Sequence, residues 1–214
     1  LLPRTAQAQL NVATLNTPYT ITFDAAVAGV GEGAYTGAGF APSPTVGQLN
    51  SNAWATTGMS DGSLAFGGTR NSGDNARGAN AAPGGVSTGG FYAFTAPAIG
   101  SSSLGIKPGS EDWTPGTVTL RVQNTTGADL TSLDVAYELW CNNSQARSNS
   151  FNFAWSTDNS SYTAVAALDF TSVAGADALG YGVSNRSTTI SGLNVANNAY
   201  VYLRWSGDDA GGSG

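Results

Sequence analysis

Two adjacent carboxylates, Asp208 and Asp209, stand before Ala-Gly-Gly in the segment Tyr200–Gly214. Acidic, glycine-rich loops supply oxygen ligands to Ca²⁺, which takes roughly six to eight of them. Asp208 and Asp209 are therefore candidate calcium ligands, with Asp74, Glu111 and Asp112 as candidates to complete the shell. The plainer alternative is a solvated turn. Apart from Ca²⁺, the residues suggest no cofactor. A second chemistry is stacking, because the chain has five Trp and eight Tyr. Exposed rings bind the faces of sugars. Trp113, ahead of a Pro-Gly turn, and Trp140, opposite the apolar side of its strand, are the glycan-stacking candidates, whereas Trp155 and Trp205 read as core. Glu138, beside Trp140, is where a glycosidase acid would sit. Glycoside hydrolysis needs two carboxyls at a fixed separation, however, and an outward-facing charge is the simpler reading of Glu138.

Other reaction classes are disfavoured by what the chain lacks. It has no His, hence no imidazole base, ligand or proton switch. Its single cysteine, Cys141, cannot close an internal disulfide or build a thiolate zinc site, and reads as a small apolar residue at a strand end. Lys107 is the only lysine available for an isopeptide crosslink. The sequons at Asn124, Asn142, Asn159 and Asn185 have the Asn-x-Ser/Thr form, but the reading here is that they carry no glycan. No catalytic residue is assigned, and the chain reads as a non-enzyme.

Composition sets the frame. Charged residues are 10% of the chain and Gly numbers 29, against about a quarter and 7% in average domains. Net charge is −6 without a basic cluster, which excludes nucleic acid as a partner, since phosphate contacts need many Lys and Arg. No apolar run is long enough to span a membrane as a helix. This profile suits turn-rich β-structure at an extracellular or cell-surface location.

The elements that must position these residues are strands. Period-two alternation predicts strands at Tyr19–Asp24, Ala53–Thr57, Ser63–Phe66, Phe91–Thr95, Thr117–Asn124, Leu133–Trp140, Phe151–Trp155, Tyr162–Val165, Ser187–Ile190 and Tyr200–Trp205. Met59-Ser-Asp-Gly62 would turn a hairpin between the second and third. Long Gly-rich loops cover 25–48 and 67–90. Ala164–Leu168 and Val173–Leu179 would each form a short helical turn. The expected fold is all-β: a two-sheet antiparallel β-sandwich, jelly-roll-like, of about ten strands. Residues 1–15 read as an N-terminal extension, with a cleavage-like Ala6-Gln7-Ala8, and 16–214 as one domain.

The segments Trp113–Gly127, Ser63–Arg70, Arg147–Phe153, Ser156–Thr163 and Tyr202–Asp209 resemble an N-terminal module of proteins secreted by Bacteroidota. Such modules stand ahead of extracellular nuclease domains, lamin-tail-like domains or type IX sorting tails. The resemblance covers most of 19–214. It implies a secreted β-sandwich, with no activity of its own and no catalytic residues to carry over. In similar modules an acidic strand follows the glycine-rich loop, whereas here the chain ends before it.

Two functions follow as expectations. The first is an assembly subunit that associates with other copies of itself by strand addition, since an unpaired edge is a template for pairing. Leu10–Leu15 of a neighbouring copy would be the donor. The alternative is a carbohydrate-binding or adhesive module with glycans as partners.

Overall fold

Alternation of apolar and polar side chains produces the longest strands. Val118, Leu120 and Val122 on one strand, and Val201 and Leu203 on another, all turn to the interior. A computed structural model describes residues 9–80, 86–95, 100–143, 145–176 and 180–212. Among them are β1 (Leu10–Val12), β2 (Phe40–Ala41), β3 (Leu49–Asn50), β4 (Trp54–Thr57), β5 (Ala79–Asn80), β6 (Gly90–Thr95), β7 (Ser102–Lys107) and β8 (Gly116–Asn124). The second half adds β9 (Leu130–Cys141), β10 (Ser148–Ser156), β11 (Thr163–Ala164), β12 (Phe170–Thr171), β13 (Gly182–Val195), β14 (Tyr200–Gly207) and β15 (Asp209–Gly211). Two short 3₁₀ turns, Gly73–Asn75 and Ala166–Leu168, are the only helical elements among the described residues. The fold is all-β.

The main sheet is built on β8, β14 and β10, mutually antiparallel. Short strands complete its flanks. β4 runs antiparallel to β8 along Thr117–Leu120, and β1 runs parallel to it along Val122–Asn124. On β10, β11 and β12 pair near Ala154 and Phe151, and β15 pairs at Ser148 and Asn149. Separately, β9 and β13 form a long antiparallel ribbon. A register shift near Gly192, whose φ is 73°, changes the phase of β13. Ile190, Leu193 and Val195 are all buried as a result, which strict alternation would forbid. A third sheet holds β5, β6 and β7, and β2 pairs with β3.

One core unites these sheets. A chain of ring contacts runs Phe40–Phe91–Trp113–Phe151–Trp205, with Phe153 and Tyr137 against Trp205. It links β2, β6, β10, β14 and β9. Trp113 is its hub. The indole lies over Gly116 and Gly207, which face each other across β8 and β14. A Cβ on Gly116 would come within 2.6 Å of the indole, and one on Gly207 would collide with it outright.

Several expectations change. Tyr19–Asp24 is not a strand: Phe23 has a φ of 61° and interrupts the extended backbone. Ser63–Phe66 contributes only a bridge, Leu64 to Thr56. β7 and β15 appear where the sequence suggests linker and loop. Leu10–Val12, assigned to a detached extension, lies on β8 of its own chain. The 3₁₀ turn at Ala166–Leu168 matches the first expected helical turn. Residues 173–176 contain no helix, and the rest of the second lies outside the described residues, as does Ala6-Gln7-Ala8.

Candidate functional site

The two faces of the main sheet are set by strand phase. Val201, Leu203 and Trp205 of β14 turn to the core, so Tyr200, Tyr202 and Arg204 turn outward. Their cross-strand partners on β8 are Gln123, Arg121 and Thr119. Small residues flank Arg204 at its level: Ala55 on β4, Thr119 on β8, Ala154 on β10 and Ala164 on β11. The next level carries Thr57, Thr117, Ser206 and Asn152. Small side chains beside large ones leave a depression. An open groove of about 260 Å³ lies there, lined by Thr57, Phe66, Thr117, Thr119, Asn159 and Arg204, among others. That is just below the roughly 300–1,000 Å³ of sites for drug-sized ligands.

The large side chains around this groove alternate rings and guanidinia. Arg121 lies 4.6 Å from the Phe66 ring and 5.0 Å from Tyr200. Phe66 meets Tyr202 at 5.8 Å. The Arg204 guanidinium carbon lies over the Tyr162 ring, 3.6 Å from its centroid, and Nε donates to Thr119 Oγ1 at 3.1 Å. Tyr162 donates to Asn159 Oδ1 at 2.6 Å. Burial, the largest influence, pushes the Tyr162 phenol up, although Arg204 opposes it. The rings are all half-buried, so each offers part of a face or edge to solvent. Donors, hydroxyls and partly open rings on one shallow face can grip a polar ligand with flat apolar sides.

A second polar cluster is a structural tie. Asp74 and Asp112 are 2% and 7% exposed. Asp74 Oδ2 accepts from Ser60 Oγ at 2.7 Å and from the Asp61 N–H at 2.8 Å. Arg77 pairs with its other oxygen. Asp112 accepts from the Ser60 N–H at 2.8 Å, and Asp74 N–H donates to Asp61 at 2.9 Å. Burial alone would raise Asp74. The bonds from Ser60 and Asp61, with the charge of Arg77, overcome it and hold the carboxyl below its ordinary range. These acids pin the 60–61 turn to the 73–77 segment.

The structure separates the sequence candidates. Asp208 and Asp209 are exposed at the start of β15. There, the Asp208 carbonyl accepts from the Ser150 N–H at 2.9 Å. Asp74 and Asp112 belong to the tie instead, and among the described residues no three acidic, His or Cys side chains group at metal-holding range. Trp113 is 1% exposed, so its ring is not open to a sugar: the Gly116–Gly207 pair and Phe91 and Phe151 enclose it. Trp140 is half-buried on β9 opposite Val183. Trp155 and Trp205 pack against the core as expected. The rings of the outer face escape a reading of the sequence because Phe66 and Tyr162 come from distant turns. The available hint is that β14 is bulky in both phases.

No family model, no curated protein and no solved structure matches this chain.

Proposed function

We propose that this chain is a non-catalytic binding module of a secreted or cell-surface protein, gripping a saccharide on the outer face of its main sheet. The observation that carries this reading is the ring-and-guanidinium array around the groove. Saccharides present alternating apolar faces and hydroxyl edges. Phe66 and the tyrosines offer partly open rings, while Thr117, Asn159 and Arg204 offer hydrogen-bonding groups. The low charge and high glycine content support an extracellular setting, as does the resemblance to secreted modules. The same proposal takes the fold as a β-sandwich, with the β9–β13 ribbon as the layer over the inner face of the main sheet. Residues of both that are buried in one common core support it: Leu130, Val135, Ile190 and Leu193 from the ribbon, and Val118, Leu120 and Leu203 from the main sheet. A glycan array followed by calorimetry tests the site. Tyr202→Ala should abolish a binding signal that Trp140→Ala retains, and loss in the Trp140 variant alone would move the site to the ribbon.

A second reading is self-association by strand addition, and one observation favours it. The ribbon has two strands of 12 and 14 residues, and among the described residues each pairs only with the other. Among the described residues, the outer sides of 130–140 and of Gly182–Val195 thus face no partner strand, which leaves a long edge for a second copy. The donor is then a ribbon strand rather than Leu10–Leu15, whose first residues already lie on β8. Electron microscopy and sedimentation of the purified chain test this: monodisperse monomers at high concentration overturn it.

A further inference from the structure

We infer that the groove selects a uronate, a saccharide unit bearing one ring carboxylate, and that Arg204 is the residue that takes it. This rests on the reading of the outer face as a saccharide site. Arg204 is preset for such a ligand. Its guanidinium carbon sits over the Tyr162 ring at 3.6 Å, and its Nε is tied to Thr119. Among the described residues its two terminal nitrogens have no hydrogen-bond acceptor, and the only ion pair is Arg77–Asp74. A planar fork whose orientation is fixed and whose outer N–H groups are unused matches a carboxylate bidentately. Fixing the fork in advance removes the entropy that a loose side chain loses on binding.

The surrounding charges agree. The exception is Asp158, whose charge reaches Tyr162; its Oδ1 is held in its own turn, accepting from Ser156 Oγ and from the N–H groups of Ser160 and Ser161, which keep it ionised. Arg121 adds positive field from between Phe66 and Tyr200, with one nitrogen donating to the Asn52 carbonyl at 2.6 Å. Arg204 is the only charged residue among the residues lining the groove. Its other polar groups are threonine, serine and asparagine side chains. One cation among neutral hydrogen-bonding groups suits one carboxylate among neutral hydroxyls. A multiply sulfated chain would call for a cluster of cations instead. The face is also a local exception to a chain of net charge −6.

The test is calorimetric titration of the whole chain with tetramers of galacturonate, mannuronate, guluronate and glucuronate. Each is paired with its carboxyl-reduced neutral counterpart, and a sulfated tetramer is included. At least one uronate should bind about tenfold more tightly than its reduced form, the value of one charge-assisted hydrogen-bond pair. Arg204→Lys, which keeps the charge and loses the fork, should forfeit most of that advantage while keeping the thermal midpoint of the parent. Equal binding of a uronate and its reduced form overturns the inference and leaves the saccharide site standing. Tighter binding of the sulfated tetramer also overturns it. No binding by any tetramer overturns the inference, and a blank glycan array beside it removes the saccharide site as well.

Discussion

The inner and outer faces of the main sheet are built from the same three strands, and both are rich in aromatic rings, yet the rings keep different company. On the inner face they touch each other: Phe91, Trp113, Phe151, Phe153 and Trp205 form a continuous series at 5.4 to 6.4 Å. On the outer face the shortest ring contacts are with guanidinium groups, down to 3.6 Å for Tyr162 and Arg204. A ring packed on rings is removed from water and contributes through area and volume. A ring under a guanidinium stays partly wet, since the cation keeps its terminal nitrogens in solvent. Ring count therefore says little about which face is core and which is open to solvent. The partner of each ring decides it.

The sharpest way to break this comparison is Trp113→Ala. If Trp113 is the hub of the inner face, removing it leaves a cavity over Gly116 and Gly207 and costs about 3–5 kcal/mol. Urea unfolding should show a lower midpoint. Were Trp113 a sugar-stacking ring, the variant would lose binding and keep its stability, and that result would end the assignment of this residue to the core. Gly207→Ala attacks the same contact from the other side. The new methyl would collide with the indole, and overpacking costs about 1–3 kcal/mol. An unchanged midpoint would mean that the indole moves freely, which contradicts its role as hub.

Acid should act on the polar tie through Asp74. Its folded-state carboxyl lies below the ordinary range, so the unfolded chain takes up the proton first. Its contribution to stability is then complete above the ordinary carboxyl pKa of about 4. It is lost as pH falls through the depressed value. Asp74→Asn should flatten that part of the stability profile, measured by urea unfolding at a series of acidic pH values. Parallel profiles for parent and variant would show that the tie to Ser60, Asp61 and Arg77 contributes nothing in solution.

The strands were legible where side-chain period does the work. Thr117–Asn124, Leu133–Trp140 and Tyr200–Trp205 appear as parts of β8, β9 and β14, because alternating burial is written directly into their residues. Tyr19–Asp24 alternates just as well and is not a strand, since φ at Phe23 depends on tertiary packing. β7 contains Ser-Ser-Leu-Gly-Ile-Lys, with a glycine where Phe94 of β6 needs room, and its identity comes from its partner. β15 is similar: three small or acidic residues become a strand because Ser148 and Asn149 are available to pair. The candidate groove was the least legible part. Arg204, Phe66 and Tyr162 lie far apart in the chain, and only the pairing of β14 with β8 and β10 brings them to one surface.

The smallest expected effect gives the finest comparison of the faces. Phe66 is half-buried, with the Arg121 guanidinium carbon at 4.6 Å and the Tyr202 ring at 5.8 Å from its own ring centre. A double-mutant cycle of Phe66→Ala and Arg121→Ala, read by chemical unfolding, isolates their pairwise coupling. A cation–π pair that stays partly in water should give about 0.5–1 kcal/mol. Arg121 also donates to the Asn52 carbonyl, so its single variant will cost more than this coupling, and the cycle removes that common part. A coupling near zero would mean that Phe66 merely rests on the surface, leaving it free to move toward a ligand. A coupling above about 2 kcal/mol would mean that the pair is desolvated. The outer face would then be a second core, and a ligand could reach its rings only by opening it. The intermediate value is the one a binding surface requires: enough to hold the rings in place, and little enough to leave their faces available.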